Sequence, residues 1–267
     1  MTTIAVAESP AGRPATVRLT ASLLQPRLVS RSAGSAHIAL VAGGATLLGG
    51  DAVSIKVEVG AGCTLRIEDI GGTVAYPSTG LPSEWTVDVV VGNGGTLVWE
   101  SFPFVVADRA VVNRRTMVRR GTDSLACLRE TLVLGRTGEA GGRIVSSTDI
   151  RDFDGKPCFV EELTLDGEQP QPGVLGRARV LDTAIMVGAD LAEEDAPASD
   201  DRTATREVTS ASVADRDQAV ADADSGRVLV LARTGAVVRA IGPATHAAHV
   251  DATWRRWKNR AERSGQR

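Results

Sequence analysis

Aromatic residues are scarce in this chain: four Trp, four Phe and one Tyr, 3% of 267 residues. So few rings exclude the stacking platforms that hold sugars or single-stranded nucleic acid. They also leave the core to Val, Leu, Ile and Ala, and the β-branched Val suits a pleated surface. Cysteine is limited to Cys63, Cys127 and Cys158, with no C-x-x-C pair, so neither a redox dithiol nor a zinc knuckle is indicated. Three widely spaced cysteines predict reduced thiols and a cytoplasmic protein. The net charge of -3 gives no electrostatic footprint for DNA. No run approaches the roughly 20 apolar residues of a membrane helix. The opening M-T-T-I-A-V-A-E-S-P has no basic start and carries Glu8, so it does not read as a secretory signal. Apolar content of 43% and charge of 24% are those of a globular protein with room for one large domain or two small ones.

What is present is a recurring phrase. V-E-V-G-A-G-C-T-L runs from Val57 to Leu65, V-V-V-G-N-G-G-T-L from Val89 to Leu97, and a looser V-R-R-G-T-D-S-L-A from Val118 to Ala126. Each copy reads strand, tight turn, strand, and spacing of about 30 residues suggests stacked supersecondary units.

Short strands are expected at 16–29 and 36–41, then at 52–59, 63–70, 85–91, 95–99, 103–107, 110–119 and 124–134, with a strand pair over 176–187. Asp154-Gly155 predicts a type I′ hairpin between 144–152 and 158–165. From Asp190 to Asp224 eleven acidic residues face only Arg202, Arg206 and Arg216, which predicts a flexible loop. The organisation expected is a β scaffold over 1–189, an acidic insert over 190–225, and a final hairpin and helix over 226–267 that complete the same domain. The hairpin spans Val228 to Ile241 and turns at Thr234-Gly235. The helix is expected to open at Pro243 or Thr245 and to run to about Arg263. Ala247, Val250, Trp254 and Trp257 make its apolar stripe, an amphipathic docking surface flanked by Arg255, Arg256, Lys258 and Arg260.

The chemistry-bearing residues are few. Asp51 follows Gly49-Gly50 at a strand start, where its carboxylate either meets a cation or caps the turn. His246 and His249 stand at i, i+3 on the expected helix, but a usable site needs a third ligand. Asp149, Asp152 and Asp154 hint at a calcium loop. Its register fails, because Leu163 stands where a bidentate Glu is required. L-G-R-T-G-E, from Leu134 to Glu139, lacks the G-K-[ST] of a phosphate loop, and no G-x-S-x-G is present.

Taken in order, several segments resemble the urease accessory protein UreD (UreH) family. A-G-G-A-T-L-L-G-G-D (Ala42–Asp51) with V-S-I-K-V-E-V-G-A-G-C-T-L (Val53–Leu65) is similar to its P-G-G-L-V-G-G-D, strand, P-G-A stretch. I-E-D-I-G-G-T-V-A-Y-P (Ile67–Pro77), L-V-W-E-S-F-P-F-V-V-A-D-R-A (Leu97–Ala110) and R-E-T-L-V-L-G-R-T-G-E (Arg129–Glu139) stand where the family has related elements. Ala42 replaces its leading Pro, and Ser101-Phe102-Pro103 replaces its Pro-Gln pair. The Ala/Arg/Val-rich composition looks actinobacterial.

The resemblance implies a mainly β protein, a right-handed β-helical stack of sheets with a C-terminal amphipathic helix, and no reaction of its own. It implies UreF, the GTP-hydrolysing UreG and the urease structural subunits as partners, in an accessory complex that can be dimeric, with neither nucleic acid nor membrane. It implies no tightly bound cofactor and only transient Ni2+, delivered to the carbamylated-lysine site of apo-urease through the scaffold interior. Asp51, then Glu68 and Asp69, are expected as passage-lining carboxylates, and Val250, Trp254 and Trp257 as partner contacts. A β-helical carbohydrate-active enzyme and a diverged assembly module without a metal role are the other readings.

Overall fold

The computed structural model describes residues 1–10, 13–44, 47–189 and 226–265. The expected acidic insert, 190–225, lies outside the described residues. Among these, no helix is long and apolar enough to cross a membrane.

The chain crosses repeatedly between two sheets, and three of the crossings, at 60–63, 92–95 and 121–124, are the turns of the recurring phrase. The first sheet stacks β1 (Thr2–Ala7), β5 (Ala52–Val59), β8 (Ser83–Val91), β11 (Val111–Arg120) and β13 (Arg143–Asp152) in parallel. The second stacks β4 (Ser35–Ala42), β6 (Thr64–Asp69), β9 (Thr96–Glu100) and β12 (Leu125–Leu134), also in parallel. Parallel neighbours supplied by successive turns of one chain make this a solenoid-like stack of coils. Antiparallel strands close it: β2 (Thr16–Thr20) on β1, β3 (Leu24–Ser32) on β4, and β14 (Pro157–Asp166) on β13. At the far end β15 (Val180–Val187) pairs with β12, and the hairpin of β16 (Arg227–Val230) and β17 (Gly235–Gly242) continues that sheet. Strands β7 (Thr73–Ala75) and β10 (Phe104–Val106) run parallel beside the second half of β12.

The recurring phrase falls on the coils residue for residue. Val57 pairs with Val89 and Val89 with Val118; Leu65 pairs with Leu97 and Leu97 with Ala126. The two glycines of each turn do different work. Gly62 and Gly94 hold φ of 66° and 63°, and Asp123 takes the same place at 54°, the left-handed region that glycine reaches without strain. Gly92 is required by stacking: a methyl there would lie 2.7 Å from the Ala61 amide nitrogen of the coil beneath.

Period-2 alternation places one face of each strand in a core between the sheets, drawing on residues from Ile4 to Val237. A second core covers the outer face of the second sheet. There Val98, Cys127, Met186 and Val238 meet Trp254, Trp257 and Ala261 of the C-terminal helix, Asp251–Ser264.

Several local expectations are corrected. The stretch 16–29 is two strands of different sheets. Only one strand, Val180–Val187, occupies 176–187. The hairpin at 152–157 exists, but only Gly155 has positive φ, so it is not a type I′ turn. The helix opens at Asp251; the chain from Thr245 to Ala247 makes only a 3₁₀ turn, because Asp182 and Arg129 of the sheet fix the backbone at 250–251. All three cysteines are free thiols.

Candidate functional site

The parity set by the paired phrases decides which polar side chains point inward. With Val118 and Val112 in the core, Arg114 and Thr116 of β11 face inward as well, and each is buried. Glu130 shares the parity of Ala126 and Leu132 on the opposite sheet. Arg114 Nη1 donates to Glu130 across the gap between the sheets. The Arg114 guanidinium lies 5.7 Å over the Phe104 ring, and Trp85 meets that ring edge-on at 5.5 Å. Burial lowers the Arg114 pKa to about 10, opposed by the charge of Asp69. Buried Thr148 and Thr183 extend the polar band. At its end Arg239 makes a two-pronged pair with Glu161 at 2.8 and 2.7 Å, joining β17 of one sheet to β14 of the other.

The wall beside this band is open. Glu68, Glu100 and Arg129 are paired neighbours in three successive coils, and so are Thr73, Phe104 and Leu132. Between those two rungs the chain advances five residues in the first coil, four in the second and three in the third. Only the last matches a continuous strand, so the two shorter strands break where β12 runs straight. The surplus, two residues within 70–72 and one within 101–103, is taken up in bulges, as extra strand residues are, while the Ile70 and Ser101 amides still donate to Leu40 and Arg129 and the Pro103 carbonyl accepts from Thr73.

Two cavities flank this break. Outside lies a vestibule of about 490 Å³, with Glu68, Asp69, Glu100, Asp182 and Asp251 among its walls and Ile70 and Phe102 at its rim. Inside, between the sheets, lies a smaller cavity of about 40 Å³ lined by Trp85, Trp99, Arg114 and Glu130. Both include Ser101 and Arg129. Asp69 sits at the neck: it accepts hydrogen bonds from Trp99 Nε1, on the inner side, and from the Phe102 amide, on the outer side, each at 3.3 Å. Burial raises its pKa to about 6, against the opposing pull of these two donors and of Arg114.

The vestibule floor also fastens the helix. Asp182, 1% exposed, accepts from Arg129 Nε and Nη2, from the Thr131 hydroxyl, and from the Val250 amide that enters the helix. Arg129 reaches Asp251 as well, at 2.6 Å. Farther along, Lys258 pairs with Glu100 at 2.7 Å and Arg66 with Glu68 at 2.8 Å. His37 stands 3.1 Å from Glu68, and burial holds its pKa below the ordinary value. Among the described residues no group of three or more His, Cys, Asp or Glu could hold a metal ion.

The structure separates the residues that the sequence singled out. Glu68 and Asp69 share the vestibule. Asp51 does not line it; its carboxylate accepts the Leu48 amide at 2.9 Å and closes its own turn. Val250, Trp254 and Trp257 are buried in the chain's own second core, so the stripe docks the helix on its own sheet. His246 lies within the 3₁₀ turn and His249 between that turn and the helix, so the two do not share a helix face; His249 reaches the vestibule wall. Arg114, Glu130, Glu100, Asp182 and Arg129 escaped sequence reading. For Arg114 and Glu130 a signal existed: counting back from Val118 and forward from Ala126 in steps of two puts both inside.

Comparison with known proteins follows the same outline. The model of the UreD urease accessory protein family matches residues 13–266. A relative in Streptomyces griseus, urease accessory protein UreD 1, is 37% identical over 190 residues, covering 70% of this chain and 74% of its own. Urease accessory protein UreD of Frankia casuarinae is 32% identical over 230 residues, covering 81% and 70%.

Proposed function

The chain belongs to the UreD family of urease accessory proteins, and from that premise we propose that it assists urease maturation without catalysing a reaction. It holds UreF and UreG on apo-urease and lets Ni2+, as cargo, cross its interior. The observation that supports the passage is the broken wall, where Asp69 joins a carboxylate-lined vestibule to the polar band between the sheets.

The chemistry suits transit better than storage. Carboxylate oxygens bind a divalent ion less tenaciously than thiolate and imidazole sets. Most vestibule carboxylates already have a cationic partner: Glu100 has Lys258, Asp182 has Arg129 and Glu68 has Arg66. An arriving dication competes with those partners and is held loosely. Asp69 offers a charge with no ion-pair partner within bonding distance among the described residues. Glu130, held by Arg114, is the next carboxylate inward. The band then continues through Thr148 and Thr183 to the Glu161–Arg239 pair.

The partner surface is the outward side of the C-terminal helix, where Arg255, Arg256 and Arg263 are exposed. Val250, Trp254 and Trp257 contribute by keeping that helix seated.

The test is nickel content and activity of urease matured with variant chains. Asp69→Asn keeps the shape of the neck and removes its charge, so nickel incorporation is expected to fall by more than half. Incorporation equal to wild type overturns the passage. Asp51→Ala, which loses a turn cap, is expected to leave incorporation intact; a loss would restore Asp51 as a passage residue.

A further inference from the structure

Beside the vestibule the C-terminal helix lays one ammonium group among donors of the second sheet. Glu68 and Glu100 are register partners on adjacent parallel strands, so their backbones run roughly 4.8 Å apart. Both point away from the core that holds Ile67 and Trp99, and both line the vestibule. His37, on the next strand, brings Nε2 to 3.1 Å from Glu68 Oε1. That nitrogen is buried and makes no hydrogen bond. Two donors bound at about 2.1 Å and at a right angle on one ion stand about 3.0 Å apart, so His37 and Glu68 already hold the spacing of neighbouring ligands. The third donor is turned aside: Lys258 Nζ lies 2.7 Å from Glu100 Oε2. As arranged, these residues do not form a metal site.

We propose that Lys258 is a tethered cation that keeps His37, Glu68 and Glu100 from closing on a divalent ion, so that the vestibule passes its cargo without trapping it. One imidazole and two carboxylates are a donor set for a first-row divalent metal. The other cations nearby leave this role to Lys258. Arg66 holds Glu68 through Oε2, and Oε1 is left facing His37. Arg129 stands 3.9 Å from Glu100 and is engaged by Asp182 and Asp251 at 2.7 and 2.6 Å. The helix does not depend on the Lys258 pair to stay seated, since Trp254 and Trp257 are buried beneath it and Asp182 accepts the Val250 amide. The release role rests on the passage reading; the latent site does not.

The test is equilibrium dialysis of nickel chloride against the full-length chain at neutral pH. Lys258→Met keeps the apolar stem and removes the charge, and its nickel affinity is expected to exceed wild type by about tenfold or more, the effect of lifting one nearby like charge. Lys258→Arg keeps the charge and is expected to bind as wild type does. Adding His37→Ala to Lys258→Met is expected to remove the gain. Circular dichroism checks that each variant folds. If Lys258→Met does not, Lys258→Gln, which donates to Glu100 without a charge, carries the same expectation. Affinity equal to wild type in the folded variant, or a gain that survives His37→Ala, overturns the site. In maturation at limiting nickel, Lys258→Met is expected to lower the nickel content of urease, with recovery when nickel is in excess. Unchanged content beside tighter binding overturns the release role. The dialysis contains no urease, so its outcome is separate from that of the Asp69→Asn test of the passage.

Discussion

Asp69 ionises against its surroundings. Its pKa rises from 3.8 to about 6 because burial opposes the charge more than Trp99 and Phe102 favour it. A carboxyl whose folded pKa exceeds its unfolded one holds its proton better in the folded chain, so this residue favours folding in acid. Below about pH 4 that contribution is complete, and it is lost as pH rises through 6. The ionised side chain thus costs the neutral protein at most about 3 kcal/mol. Asp69→Asn is therefore expected to gain stability over wild type between pH 4.5 and pH 7.5, measured by guanidinium unfolding. An advantage that does not change with pH would show that Asp69 does not titrate in that window. That Asp69 faces inward was legible from its place two residues after Ile67, in step with Leu65. That Asp51 caps its own turn was one of two readings open to a Gly-Gly-Asp sequence. The sequence could not choose between them, since the choice depends on what lies across the loop.

Among the elements, the turns and the helix respond to different forces. Gly92 is held by the coil beneath and Gly94 by its dihedral. Gly92→Ala is expected to cost about 1–3 kcal/mol by overpacking. Gly94→Asn should cost well under that, because Asn tolerates the left-handed region and Asp123 already occupies the equivalent place. Chemical denaturation of the two variants checks the order, and equal losses would refute the division of roles. Trp257 lies fully buried beneath the helix, so Trp257→Ala is expected to cost about 3–5 kcal/mol. Truncation after Gly242 removes that whole core layer, and lost UreF binding would then follow from lost folding. Arg255→Glu with Arg256→Glu is the cleaner probe: UreF co-purification should weaken while the melting temperature holds. Helical spacing revealed the apolar stripe but not where the helix begins. The start depends on Asp182, 69 residues upstream of Asp251 in the chain, accepting the Val250 amide.

For the molecule as a whole, the phrase beginning at Val57, Val89 and Val118 carried both the architecture and its register, since each copy begins where two coils hydrogen-bond. Nothing comparable marked the open wall. It arises from a difference in chain length between rungs, and such a difference is visible only once the partners of each rung are known. The same difference has an evolutionary consequence. The segments 70–72 and 101–103 are tied to their neighbours at few points, Ile70 N–H to Leu40, Ser101 N–H to Arg129 and Thr73 N–H to Pro103, so a change of length there breaks fewer bonds than one in the strands on either side, and selection against it is weaker. Single-codon insertions and deletions there can reshape the vestibule wall at less cost to the register of the stack than changes in the strands, which makes the size of that cavity a heritable variable.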